Sequence, residues 1–487
     1  MKTKPFALIA AAALLLSTFH APLSVCHAQG ALIPPAAPAP LMKSLDQIEP
    51  RTPISGQVIL YDSGSYYLTT NVLGNGGYGI IIQADNISVD LCGFELAGGP
   101  NPTTGGIVVS GPHTNLTVYN GIIRNWGGIA VDASTGTGNR FESLKIFNNK
   151  GAGLLSGTLS QVRSSSVSFN NGDGMVLGAN SAVIDSMAIA NNGRGIVVAD
   201  SCSIKNSSVN ANTNGGIFAG LNCLLNQCVV VSNFNLGGLV VSSSSSVVEC
   251  VVNNNSGTGI TTDSYCTVRD CDVVHNAGAG ILVRDNCSIK NSTVNANPNG
   301  GIFAGLNSLV SQCIAVSNIN VGNSSLGSGI TVSNNSSVLE CLVSYNSSNG
   351  IVLAPNCTAR ECNVFRNPGN GIIVSDNCRV VGNNCAYNGV PVPSGNVAAI
   401  DIGGLGSRIE GNNVFSNANR GISILAFSET SNNVIVKNIS MWNLGDYSIA
   451  TMDIMGPQIY NGEAGVGLDG NIITNSNPWA NFSTTRF

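Results

Sequence analysis

Between residues 79 and 440, apolar and polar positions recur with a period of 21 or 22 residues. With Gly193 as position 1 of one unit, position 3 is Gly in nearly every unit, as at Gly174, Gly195, Gly216 and Gly259. Positions 4 and 6 are aliphatic (Ile196 and Val198, Ile281 and Val283, Ile330 and Val332). Positions 10 and 12 pair a small residue with an aliphatic one (Cys202 and Ile204, Cys266 and Val268). Positions 15 and 17 repeat that pairing (Cys271 and Val273, Cys362 and Val364). Position 20 is Asn in unit after unit, from Asn170 to Asn388. Three segments that alternate with period two, punctuated by Gly, Asn and Asp, predict three strands per unit. Strands of ~3–5 residues cannot enclose a core within one unit. The units must therefore stack ~4.8 Å apart, so that inward residues of successive units form continuous ladders. The position-20 asparagines are predicted to hydrogen-bond along one such column. Gly at position 3 is expected to serve a positive φ or a close backbone approach.

The array grew by internal copying. Residues 202–222 read CSIKNSSVNANTNGGIFAGLN and residues 287–307 read CSIKNSTVNANPNGGIFAGLN, identical at 19 of 21 positions. Their offset of 85 residues equals four units.

This repeat resembles the right-handed parallel β-helix of the pectate-lyase-like superfamily, which includes carbohydrate-binding proteins and sugar hydrolases. The resemblance covers residues 79–440. The flanks SLDQIEPRTPIS (44–55) and NPWANF (477–482) are similar to those of secreted bacterial β-helix proteins. It implies an all-β, single-stranded right-handed parallel β-helix with three strands per ~21-residue coil. It says less about activity, because one scaffold hosts many functions.

The ends of the chain read differently. Lys2 and Lys4, the apolar run Phe6–Leu16 and the small residues around Cys26-His27-Ala28 have the form of a signal peptide over residues 1–28. Val25 fits poorly before a lipidated Cys26, so export is favoured over lipid anchoring. Residues 29–50, with Pro34, Pro35, Pro38 and Pro40, read as an extended leader. Residues 51–78 are expected to form an N-terminal cap and residues 441–487 a C-terminal cap, covering the open ends of the core. Past the signal segment no apolar run reaches the ~18 residues of a transmembrane helix. Without Lys2 and Lys4 the chain has 19 basic and 26 acidic residues, a net charge of −7. That balance disfavours nucleic acid and densely anionic polymers as partners.

Fourteen cysteines follow the signal segment. Twelve fall on positions 10 and 15, where Ser or Ala stands in other units, so they read as small buried fillers. Paired C-x₂-C spacing is absent, and neither a metal nor another cofactor is expected.

Position 14 carries Glu249, Asp270, Glu340 and Glu361 beside the position-13 cations Lys205, Arg269, Lys290 and Arg360. Paired carboxylates with a nearby Arg are the equipment of acid–base glycoside chemistry. These residues equally suit a solvated turn, since Asn206 and Asn291 hold position 14 in the copied block. His113 and His275 lie too far apart in the array to cooperate. The Asn-Thr-Asp, Asp-Asp and Gly-His-Gly motifs of polygalacturonases are missing. So are the Arg-x-Pro-x-x-Arg of pectate lyases and the Asp-Pro-His-Asp of alginate epimerases.

Position 5 points outward on the first strand and is apolar from Leu155 to Ile373, with Phe218 and Phe303 at matching places in the two copies. An exposed apolar stripe of that length predicts a covering leader or tail, a protein partner, or a neutral glycan stacked on the two rings. The sequence thus supports an exported β-helix scaffold that binds or displays at extracellular or cell-surface glycans, with Phe218 and Phe303 as candidate contacts. A polysaccharide lyase or glycosidase using the position-14 acids is the alternative, and an adhesin or surface-structural protein a further one.

Overall fold

The computed structural model describes residues 49–484 except 101–103, 321–326, 391–396, 425–431, 450–452, 461–464, 467–471 and 474–476. The signal segment and nearly all of the leader lie outside the described residues. Among the described residues all regular structure is β, and no helix is long and apolar enough to cross a membrane.

Each coil contributes three strands, mostly of three residues, as in Ile196–Val198, Ser203–Lys205 and Ser208–Asn210. Among the described residues eighteen first strands stack into one parallel sheet, thirty-six strands of the second and third columns form another, and Gly465–Val466 pairs antiparallel with Ile472–Ile473. Register holds from coil to coil: Ile196 pairs with Ile217, Ile217 with Leu239, and Leu239 with Ile260. Every inward position predicted from the period is buried, including Ile196, Ile204 and Val209 of one coil. Parallel pairing begins at Thr52–Ile54 and Val58–Leu60 and continues to Asn481–Thr484.

What ends each strand after three residues is one left-handed residue per bend. In the coil starting at Gly193 these are Ser201, Asn206 and Ala211, with φ of 59°, 49° and 55°. The same three places, positions 9, 14 and 19, are left-handed in coil after coil. The residue after each bend is a small polar one at position 10, 15 or 20, and its side chain points inward. There its heteroatom accepts the backbone N–H of its counterpart in the preceding coil: Ser181 N–H donates to Cys202 Sγ (3.3 Å), Ser186 N–H to Ser207 Oγ (3.3 Å) and Asn191 N–H to Asn212 Oδ1 (3.0 Å). A bend takes a backbone donor out of the regular ladder, and a buried donor must find an acceptor. Ser, Cys and Asn are the small residues that bring one. In column 10 the cysteines are therefore more than fillers: Cys202, Cys223, Cys287 and Cys357 each accept a backbone N–H from the preceding coil. Toward the C-terminus Asn takes over this role at position 15 as well, in the run Cys362, Asn383, Asn412, Asn438, Asn481.

The position-3 glycines answer to close approach rather than to φ. Gly195 is absent from the left-handed residues, but a Cβ there would collide with Val209 Cγ1 and come within 2.7 Å of Asn212 Nδ2. Glycine clears room for the asparagine column, whose members also bond side chain to side chain (Asn191 Nδ2 to Asn212 Oδ1, 3.0 Å).

Fourteen cysteines are free thiols, thirteen of them buried. Burial pushes the thiol of Cys378 up to about 11 and that of Cys385 higher still.

Candidate functional site

The position-5 side chains stand in register along the outer face of the first-strand sheet: Val197 pairs with Phe218, Phe218 with Val240, Leu282 with Phe303. The expected exposed stripe is only half-exposed. From Leu155 to Ile373 every member is half-buried except Leu282, which is 41% exposed. At the ~4.8 Å coil spacing, each branched or aromatic side chain shields its neighbours.

The two phenylalanines also differ. Arg194 lies over Phe218 with its guanidinium carbon 5.5 Å from the ring centroid, and Asp173 holds Arg194 through Nη2 at 2.9 Å. At the place corresponding to Arg194, the second copy has Ala279. The rings therefore do not form two equivalent contacts.

Beyond Ile373 the same ladder turns polar, with Asp401 and then Ser423 in register. Asp401 is 9% exposed; Asn370 Nδ2 donates to its Oδ2 at 3.4 Å, and its Oδ1 has no partner. Burial raises its pKa to about 6, opposed by the charge of Arg420.

The position-14 acids sit at the second bend in left-handed backbone: Glu249, Asp270, Glu340 and Glu361 have φ between 52° and 56°. Their neighbours divide them into separate pairs. Gln227 Nε2 donates to Glu249 (2.9 Å), Asn291 Nδ2 to Asp270 (2.7 Å) and Gln312 Nε2 to Glu340 (3.0 Å). Glu249 and Asp270 are one coil apart, yet each bonds away from the other, so they share no proton. Hydrogen bonding from Asn291, then the Arg269 guanidinium at 2.6 Å, holds Asp270 below the usual carboxylate range. That favours the ionised form and suits a solvated turn better than a general acid. The surface there is a shallow depression lined by Arg269, Asp270, Lys290, Asn291 and Gln312. Among the described residues no three His, Cys, Asp or Glu side chains cluster to hold a metal ion.

Residues 105–255 and 250–386 match the family described as right handed beta helix region, together more than half of the chain. The chain belongs to that family. No curated protein matches the sequence. Similar solved structures include the periplasmic alginate epimerase AlgG, with 11% identity over 76% of this chain and 77% of that one, and a TM-score of 0.29. The A-module of the Azotobacter vinelandii mannuronan C-5 epimerase AlgE4 shares 13% identity over 81% of this chain and 91% of its own, with a TM-score of 0.28. Bacteriophage CBA120 tailspike protein 3 shares 12% identity over 87% and 64%, with a TM-score of 0.30. These likenesses carry no inference about activity.

In this β-helix the third bend carries a group that the period-based reading passed over. Column 19 opens on the exposed Phe169 and then holds small or polar residues over the middle of the array: Ala190, Ala211, Ser232, His275, Ala296, Ser317. It then switches to Tyr345, Arg366 and Tyr387 in successive coils. Bulky residues are rare in left-handed backbone, yet Tyr345 and Tyr387 have φ of 56° and 54°.

The two tyrosines are 43% and 52% exposed. The Arg366 guanidinium carbon lies 5.4 Å from the Tyr345 ring centroid and 5.8 Å from that of Tyr387, and Arg366 also donates to the Tyr345 hydroxyl. Phe365 and Phe415 meet the tyrosine rings edge to face, at 6.0 Å and 5.7 Å between centroids. Beside them on the third strand, Asn384 Nδ2 donates to Asn363 Oδ1 at 3.1 Å. The signal was present in the sequence as a break in column 19; reading the columns for what recurs concealed it.

Proposed function

We propose that this β-helix is a glycan-binding scaffold of exported character, and that it holds an extended sugar chain on the third-strand face around Tyr345, Arg366 and Tyr387. The observation that carries the reading is the pair of exposed tyrosine rings, two coils apart, each met edge to face by Phe365 or Phe415. Aromatic faces take the apolar faces of pyranose rings, and flanking amides and a guanidinium take hydroxyls. The tyrosines stand two coils apart, about 9.6 Å along the helix axis. That is close to the rise of two sugars in an extended pyranose chain. Phe218 and Phe303 are the weaker contacts because both rings are half-buried.

The test is a glycan array with the purified protein, followed by affinities for Tyr345→Ala and Tyr387→Ala. Each substitution removes a stacking face from a left-handed position that Ala occupies elsewhere in column 19, so folding should persist while binding falls about tenfold. Binding unchanged in both variants would sink the reading.

A second reading, a polysaccharide lyase or glycosidase, is favoured by one observation. Asp401 is a buried carboxyl raised to about 6 with Arg420 nearby, an environment suited to an acid near neutral pH. Release of reducing ends or unsaturated products across a polysaccharide panel, lost on Asp401→Asn, would support it. The same assay with Glu249→Gln and Glu361→Gln tests the position-14 acids.

A further inference from the structure

We infer that the third-bend site selects a glycan in which acidic and neutral sugars alternate; this rests on the glycan-binding reading above. The site offers one guanidinium between two aromatic faces. Arg366 is exposed and has no carboxylate partner among the described residues; its guanidinium carbon lies between the two tyrosine rings, 5.4 and 5.8 Å from their centroids, and one N–H donates to the Tyr345 hydroxyl. Held there, it keeps four further N–H donors, enough to pair with one carboxylate.

The surroundings allow one such charge. No Asp or Glu occupies the outward columns of the third strand or its bend from Leu342 to Trp442. The acid in the same coil, Glu361, sits at the opposite end of the strand, five residues or about 16 Å away along the extended chain. That exceeds a Debye length of about 8 Å at physiological salt. Cation and rings also alternate in a fixed order along the axis: Tyr345, Arg366, Tyr387, one coil apart each.

A chain with a carboxylate on every sugar would place additional charges against the tyrosine faces, where no cation answers them. It would also be repelled by the chain's overall negative charge. A wholly neutral chain would leave the guanidinium without its anion. A disaccharide repeat with one uronate and one uncharged sugar meets both demands, with the rings stacking on the uncharged sugars and Arg366 pairing with the acid between them.

The experiment measures calorimetric affinities of the full chain for three oligomers of equal length. These are a hyaluronan octasaccharide (glucuronate alternating with an uncharged sugar), a β-1,4-oligoglucuronate and a β-1,4-glucan. Each is repeated with Arg366→Gln and with Tyr345→Ala, and thermal melts confirm that the variants fold. The expected result is tightest binding of the alternating oligomer, by about tenfold or more, the scale of one charge-assisted hydrogen bond. Arg366→Gln should lower it to the level of the neutral glucan and leave the glucan unchanged, whereas Tyr345→Ala should weaken both.

If the oligoglucuronate binds as tightly as the alternating oligomer, or Arg366→Gln weakens the neutral glucan equally, the inference is overturned and the glycan-binding reading stands. If none of the three binds and the glycan array is also blank, both fall together.

Discussion

Asn276 lies in the middle of the asparagine column and is fully buried, so replacing it with Ala tests what the column contributes. Its Oδ1 accepts the backbone N–H of Asn255 at 3.1 Å and the Asn255 amide at 2.9 Å. Its own amide donates to Val252 O (3.0 Å), Val274 O (3.2 Å) and Asn297 Oδ1 (3.1 Å). The losses are unequal. The Asn255 amide keeps two other acceptors, the carbonyls of Val230 and Asn253, and can re-aim. The Asn255 backbone N–H cannot, and a stranded buried donor costs about 1–3 kcal/mol. The cavity left by the amide and the under-satisfied Val252 carbonyl bring the total to about 3 kcal/mol.

In a solenoid, stability is roughly a sum over coils and their interfaces, so the loss should appear locally. Native-state hydrogen exchange at Asn255 and its neighbours should accelerate by about 150-fold, the equivalent of 3 kcal/mol. The denaturation midpoint should fall as well. Asn226→Ala is the control, an outward residue of the second strand expected to change stability by less than about 0.5 kcal/mol. Equal effects of the two substitutions would refute the reasoning, because the column would then be no more than a row of tolerated side chains.

Three further outcomes follow from the same geometry. Asp401 has a pKa raised to about 6 in the folded state, so folding takes up a proton between about pH 4 and 6 and stability declines as pH rises through that window. Asp401→Asn should remove that slope and stabilise the protein at pH 7 by about 2–3 kcal/mol in a pH series of chemical melts; a steeper slope in the variant would contradict the assignment. Phe218→Ser and Phe303→Ser each uncover a half-buried ring and should cost about 1–2 kcal/mol in melts while leaving any glycan affinity at the third bend unchanged. The ladder thiols are buried, so a thiol reagent at pH 8 should label the native protein sparingly, least of all at Cys357, Cys378 and Cys385, which burial also raises, Cys378 to about 11. Unfolded without reductant, the chain should expose nearly all fourteen, and recovery of almost none would mean that disulfides staple the coils.

The period was legible because burial repeats it. Residues such as Ile196, Ile204 and Val209 recur at fixed places, and each takes the inward position that the alternation predicts. The bends were harder to read. Left-handed residues include Ser201, Ala211, Glu249 and His275, with no shared chemistry, because the conformation is imposed by stacking on the coils above and below. What marks a bend in sequence is the residue after it, whose small polar side chain supplies the missing acceptor. The position-14 acids looked like a pair because adjacent coils bring them close. Their pairing with Gln227, Asn291 and Gln312 depends on which way each exposed side chain turns, which spacing does not determine. Asp401 escaped notice for a related reason. It follows the apolar ladder after an enlarged coil, and its perturbation comes from burial, not from a motif.

Copying and function separate along this chain. The stretch written twice, at 202–222 and 287–307, carries Phe218 in one copy and Phe303 in the other, which suggested a doubled contact. Yet one copy acquired Arg194 over its ring and the other has Ala279 in the corresponding place, so duplication did not preserve a contact surface. The features it did preserve are structural ones. Asp200 and Asp285 each accept the N–H of a leucine in the next coil, at 2.8 Å in both copies, and a glycine (Gly220, Gly305) sits beside each carboxylate. Tyr345, Arg366, Tyr387 and Phe415 all lie beyond the second copy and have no counterparts within it. A coil can be duplicated freely when its ladders match at both ends, which lengthens the scaffold without touching a site written once. The exposed tyrosines that flank Arg366 in column 19 are the opposite case, since outward rings add nothing to the ladders that hold the coils together. On that argument the repeated coils supply length and rigidity, and recognition belongs to the coils that depart from the repeat.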